Sequence, residues 1–128
     1  MGTRFIATQE APVHPKVKQA IVNASELDTR LIMRGLRNTE RVLYNPSVEQ
    51  VLAVEHAKGP ALKIEDILAQ VAGVYPRVMQ QGEIDSGVWS CGMVAGLIHD
   101  VPSCQELIDR IMAQAEQIIR GRLAEKLG

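Results

Sequence analysis

Aromatic residues are scarce: one Phe, two Tyr and one Trp in 128 residues. Aromatics supply much of the buried area of an ordinary core. The interior must therefore come from Leu, Ile, Val, Met and Ala, or be completed by further chain. Cysteine is scarcer still. Cys91 and Cys104 are too few for a disulfide scaffold, which points to a reducing, cytoplasmic setting. No Cys-x-x-Cys or His-Glu-x-x-His spacing suggests a metal, and His14, His56 and His99 lie far apart. Apolar runs fall far short of the ~20 residues of a membrane span. The net charge of −1 leaves no positive surplus for nucleic acid or an anionic bilayer. No Gly-x-Ser-x-Gly elbow and no internal repeat occurs. The length suits one domain with a modest core.

What is present is mainly helical periodicity. Phe5 and Ile6 suit a strand, so the chain is expected to open on one. Pro15 starts a helix over Lys16–Ala24, with Val17, Ala20, Ile21 and Ala24 on one face. Leu31-Ile32-Met33 reads as a short strand. Asn38–Tyr44 reads as a short helix capped by Asn38. Ser47 with Gln50 predicts the start of a helix over Val48–Ala57, which Gly59-Pro60 stops. Ile64, Ile67, Leu68, Val71 and Val74 mark another over Ile64–Val74, with a break or fresh start at Pro76. Val88–His99 places Trp89, Gly92, Met93, Gly96 and Leu97 on one helical face. Ser103-Cys104-Gln105-Glu106 is a capping box that opens the longest helix. Its stripe of Leu107, Ile108, Ile111, Met112, Ala115, Ile118, Ile119 and Leu123 needs a partner surface.

Few residues announce chemistry by themselves. Gly2-Thr3 offers backbone N–H groups and a hydroxyl that suit a phosphate. Arg30, Arg34, Arg37 and Arg41 recur at near-helical spacing. They read either as a phosphate-binding stripe or as a solvated face paired with Asp28, Glu40 and Glu49. The solvated face is the favoured reading, because surface ion pairs are common and weak. Ser90-Cys91 invites a nucleophile reading, yet no base stands beside it, and a Cys on an apolar stretch is usually core. The polar, Gly-containing loop Gln80–Gly87 is a candidate ligand wall.

The stretches Met1–Glu10, His14–Lys18, Leu31–Thr39, Gln80–Gly82 and Gly87–Met93 together resemble the FMN-dependent nitronate monooxygenase (nitropropane dioxygenase) family. The likeness is greatest to its NADH:quinone reductase branch. It implies an α/β parent, an FMN-binding barrel of the TIM type, of which this chain is a predominantly α-helical C-terminal portion with one or two short strands. Met1 would then be an internal position, with a further barrel portion upstream or a homo-oligomer partner completing the fold. Residues 1–11 would be the last barrel strand and phosphate loop, 12–79 a helical lid over the mouth, and 80–128 the return to the barrel with closing helices.

The same resemblance implies that Met1, Gly2 and Thr3 hold the FMN phosphate, and that Ser90 and Gly92 line the flavin. Many relatives carry Gln where this chain has Met93, and some carry Tyr where it has Met79. The family's catalytic His lies upstream, and none of the three histidines here matches it. The implied reaction is oxidation of a nitronate with O₂ reoxidising the flavin. NADH:quinone reduction on the same FMN, with NAD(P)H as donor, is the alternative. A rival from another class is a non-catalytic helical interaction module.

Overall fold

The computed structural model describes residues 1–127. It is mostly helical, with one two-stranded antiparallel sheet among the described residues. In order come α1 (Gly2–Ile6), α2 (Pro15–Asn23), β1 (Thr29–Ile32), β2 (Glu40–Leu43), α3 (Pro46–Lys58), α4 (Leu68–Val71), α5 (Tyr75–Met79), α6 (Cys104–Gln117) and α7 (Ala124–Leu127). A π-helical stretch, Ile118–Leu123, joins α6 to α7. Short 3₁₀ turns fill Glu26–Asp28, Gly59–Ala61, Ile64–Ile67 and Met93–Leu97.

The sheet divides the interior. β1 and β2 pair with Thr29 opposite Leu43 and Ile32 opposite Glu40. Successive strand residues point to opposite faces. Val42 therefore joins a cluster with Ile32, Val48, Val51, Ile67 and Val88, while Leu43 joins Val17, Ile21, Val78, Trp89 and Ile98. Val88 and Trp89 alternate the same way, because the chain from Val88 to Cys91 runs against β2. The Leu43 N–H donates to Trp89 O, the Cys91 N–H donates to Arg41 O, and Val42 bridges Ser90.

Several expectations hold. α2 buries Val17 and Ile21. Gly59, at φ 51°, caps α3 in a conformation that glycine tolerates. At α6, Ser103 and Glu106 form the predicted capping box. Of the α6 stripe only Leu107 is buried; Ile108, Met112, Ile119 and Leu123 face outward.

Five readings are corrected. The opening stretch is the helical turn α1 rather than a strand. The Phe5 N–H donates to Met1 O and no strand lies alongside among the described residues, so a turn satisfies the backbone where a lone strand would not. Residues 38–44 hold the strand β2 (Glu40–Leu43) rather than a helix, which lets Val42 and Leu43 fill two different cores. Val88–His99 is extended and then 3₁₀, since pairing with β2 and Gln70 O takes its N–H groups. The cap of α3 is Asn45, not Ser47. Asn45 Oδ1 accepts from the Val48 N–H at 2.9 Å, with Pro46 at the first helical position. The helix expected over Ile64–Val74 is divided into a 3₁₀ turn and the short α4.

Candidate functional site

Two distant stretches meet at Thr3. Its Oγ1 accepts a hydrogen bond from the Gly92 N–H at 3.0 Å. The hydroxyl proton of Thr3 remains available to donate. Thr3 lies in the first turn of α1, where the N–H groups of Gly2, Thr3 and Arg4 have no intrahelical acceptor. Met1 and Gly2 are exposed, and no heavy atom lies within 4 Å of where a Gly2 Cβ would sit. An oxyanion can therefore approach this backbone closely. Arg4 does not face that opening. Its guanidinium donates to Ala7 O at 2.7 Å and to Asp100 O at 2.9 Å, and pairs with Asp100 Oδ1 at 3.2 Å, which ties α1 to the turn before α6.

Beyond α1 lies a cavity of about 300 Å³. Ile6, Val71, Val74, Met79, Val88 and Trp89 give it apolar walls, and Tyr75, Glu40 and Ser90 add polar groups. Ser90 Oγ donates to Glu40 Oε1. Ser90 thus stands between the cavity and Gly92, two residues on. Larger hollows beside α6 share no lining residue with this cavity and open in front of its exposed apolar stripe.

The cavity wall is held by residues that carry no chemistry. Asn45 Nδ2 donates to Ile84 O at 2.9 Å and to Gly87 O at 3.0 Å, and Ser47 Oγ donates to Asp85 O at 2.8 Å. Trp89 Nε1 donates to Ile84 O at 3.1 Å. These bonds fold the 80–87 loop back on β2. Gly82, at φ 73°, lies against the His14 ring, where a Cβ would fall 2.3 Å from Nδ1. The His14 N–H donates to Met79 O and its Nδ1 accepts from the Lys16 N–H.

Of the residues singled out from the sequence, Thr3 and Gly92 are brought into contact. Ser90 is their neighbour, while Met1 and Gly2 form the open rim. Met93 is exposed and Met79 is buried in the cavity wall. Cys91 is buried, and burial pushes its thiol up to about 11, which excludes a thiolate at neutral pH. The four arginines do not form a helical stripe, and none pairs with Asp28, Glu40 or Glu49 among the described residues. Arg30 lies over the Tyr44 ring, 4.9 Å from its centroid, and Arg41 donates to Thr29 Oγ1. Glu40, read from the sequence only as a surface counter-charge, and Asn45 escaped sequence reasoning as residues of this region. The Asn45-Pro46 turn signal could have found the second. Among the described residues no His, Cys, Asp and Glu group is placed to hold a metal ion. No described helix is long and apolar enough to cross a membrane.

The fold of this chain recurs in solved enzymes built as an α/β barrel of the TIM type. FabK from Thermotoga maritima superposes with a TM-score of 0.83 at 26% identity, covering 98% of this chain and 39% of that one. A FabK mutant from the same organism gives 0.76 at 26% identity, covering 98% and 35%. The fold thus corresponds to a helix-rich portion of such a barrel. The nitronate monooxygenase family profile matches residues 1–114, and the chain belongs to that family. Among characterised proteins it is similar to (3aS,4S,5R,7aS)-5-hydroxy-7a-methyl-1-oxo-octahydro-1H-indene-4-carboxyl-CoA dehydrogenase. The Mycobacterium tuberculosis protein is 27% identical and the Rhodococcus jostii protein 26%, each match covering 90% of this chain. The chain spans 42% of the length of each of these relatives.

Proposed function

We propose that this chain supplies the flavin-phosphate end and the substrate-side wall of a cytoplasmic FMN-dependent oxidoreductase. A further barrel portion, or a second copy of the chain, completes it. The observation that carries the reading is the Thr3–Gly92 hydrogen bond, which joins the two stretches assigned to the flavin. The residues fit a phosphate. Gly2 leaves the backbone uncovered, three first-turn N–H groups lack acceptors, and the Thr3 hydroxyl is fixed by Gly92 with its proton free. FMN, when bound, supplies two-electron redox chemistry.

The chain's own residues bind and orient. Thr3 donates to the phosphate, and Gly92 holds Thr3 in that direction. Residues 12–79 act as the cover and 80–128 as the return to the barrel. The apolar walls from Val71 to Trp89 exclude water from the substrate, and the Ser90–Glu40 pair fixes the polar rim. Oxidation of a nitronate, with O₂ as terminal acceptor, is the first reading of the reaction. NADH:quinone reduction is its alternative on the same cofactor. A further reading, oxidation or reduction of an acyl-CoA, is favoured by the names of the two curated relatives.

The test is anaerobic mixing of the flavin-loaded full-length enzyme with an alkyl nitronate, with NAD(P)H, or with an acyl-CoA. Bleaching of the flavin absorption by the nitronate supports the first reading. Bleaching by NAD(P)H with return on adding quinone supports the alternative, and a response to the acyl-CoA alone supports the last. A chain that takes up no flavin in any assembly would be a helical interaction module instead.

A further inference from the structure

The turn joining β1 to β2 gathers cations that the oxidoreductase reading leaves unused. Within it the Arg37 N–H donates to Arg34 O at 3.1 Å, and the N–H groups of Leu36 and Asn38 donate to Met33 O. Such a turn holds the α-carbons of Arg34 and Arg37 within about 7 Å of each other. Both side chains are exposed, and neither has a carboxylate within 4.0 Å among the described residues.

The turn is also held in an unusual backbone state. Met33 and Arg37 have φ of 57° and 54°, a left-handed region that non-glycine residues enter only at a conformational cost. The surroundings enforce it. Leu36 packs on the core beside Ile32 and Val42, and Glu55 Oε1 accepts from the Met33 N–H. The Glu55 carboxylate is therefore committed to backbone. On the other side a Cβ at Gly35 would lie 3.7 Å from Leu62, so the α3–α4 connection backs the turn. Two guanidinium groups carried on one turn without a paired carboxylate suit a phosphate dianion, which accepts charge-assisted, bidentate hydrogen bonds from them.

The turn continues directly from the cavity. Glu40, opposite Ile32, lines it, and Arg37 is three residues earlier, within about 10 Å at the rise of an extended chain. We propose that the Arg34–Arg37 turn recognises the phosphomonoester of an adenosine nucleotide whose reactive end reaches the cavity. That group is common to CoA thioesters, on the 3′ oxygen, and to NADPH, on the 2′ oxygen. The proposal rests on the oxidoreductase reading and names the co-substrate class for it.

The test is titration of the chain with adenosine 3′,5′-bisphosphate, adenosine 2′,5′-bisphosphate and 5′-AMP by calorimetry at low salt. One or both bisphosphates should bind at least tenfold tighter than 5′-AMP. The preference should vanish in the Arg34→Gln/Arg37→Asn double variant and persist in part in Arg34→Lys. Asn tolerates the left-handed conformation, and an unchanged thermal melt checks the fold. Preference for the 3′ isomer assigns CoA, and preference for the 2′ isomer assigns NADPH. Equal binding of 5′-AMP, no binding of any of the three, or a preference that survives the double variant overturns the proposal. FMN binding by the same samples reports on the flavin site separately, so loss of one reading is distinguishable from loss of the other.

Discussion

The Thr3 hydroxyl oxygen and the Gly92 N–H meet across 89 residues of chain, at 3.0 Å. The bond joins α1 to the segment that runs beside β2. A part-buried neutral hydrogen bond contributes about 1 kcal/mol net. Thr3→Val keeps the shape and the β-branch but removes the acceptor, so it should lower stability by about that amount. Thr3→Ser should stay close to the parent. Urea midpoints of the three proteins, at equal slope, check this.

Gly87 packs directly on Val74. A Cβ added there would fall 2.3 Å from Val74 Cβ and 2.5 Å from Cγ1. Gly87→Ala should therefore destabilise by about 1–3 kcal/mol through overpacking. Val74→Ala removes the methyls but leaves Cβ, so the double variant should recover only part of the loss. A double-mutant cycle in denaturant reads the coupling, expected at about 0.5 kcal/mol or more.

Acid should unfold the protein through its caps. Asp28 accepts from the Ser25 N–H and hydroxyl, Asp66 from the Lys63 N–H beside Lys58, and Glu106 from the Ser103 N–H and hydroxyl. Asp100 sits between Arg110 and Arg4. Each contact favours the ionised form, so each carboxyl titrates below its ordinary value. The unfolded chain then binds more protons than the folded one in acid. The stabilisation is whole above the unfolded values, near pH 4–5, and is lost as pH falls further. Urea midpoints measured from pH 7 to pH 3 should fall mainly below pH 5. Asp100→Asn should flatten part of that fall.

The two thiols should differ in reactivity. Cys91 is buried, its thiol raised by burial, while Cys104 is half-buried at the first turn of α6. A disulfide reagent at pH 8 should modify one thiol in the native protein and the second only after denaturant is added. Peptide mapping should place the first label on Cys104.

Much of this fold was legible because local signals agreed with it. The α2 periodicity, the Gly59 stop and the Ser103–Glu106 box each specify an element without outside help. The misread segments share a different cause. Residues 38–44 and Val88–Cys91 are short apolar runs whose state depends on pairing with a distant strand, and no local period reports that. α1 fails the other way. Phe5 and Ile6 suit a strand, but among the described residues no strand lies alongside to pair, and a single turn closes the backbone instead. The family resemblance grouped Gly2-Thr3 with Gly92, and the fold brings Thr3 and Gly92 into contact although nothing in their spacing does so. Glu40 was hidden in a segment read as helix. Asn45 was overshadowed by the Ser47 signal, although its buried amide does more, capping α3 and pinning the 80–87 loop at once.

The most direct test of the account is a titration of FMN with this chain, followed by flavin fluorescence, in parent, Thr3→Val and Thr3→Ser proteins. The account predicts saturable quenching that weakens by about tenfold or more in Thr3→Val, the loss expected for a hydrogen bond to a charged phosphate, and that Thr3→Ser restores. Binding that is indifferent to Thr3→Val, or no saturable binding by the parent, would contradict the placement of the flavin phosphate at Gly2-Thr3.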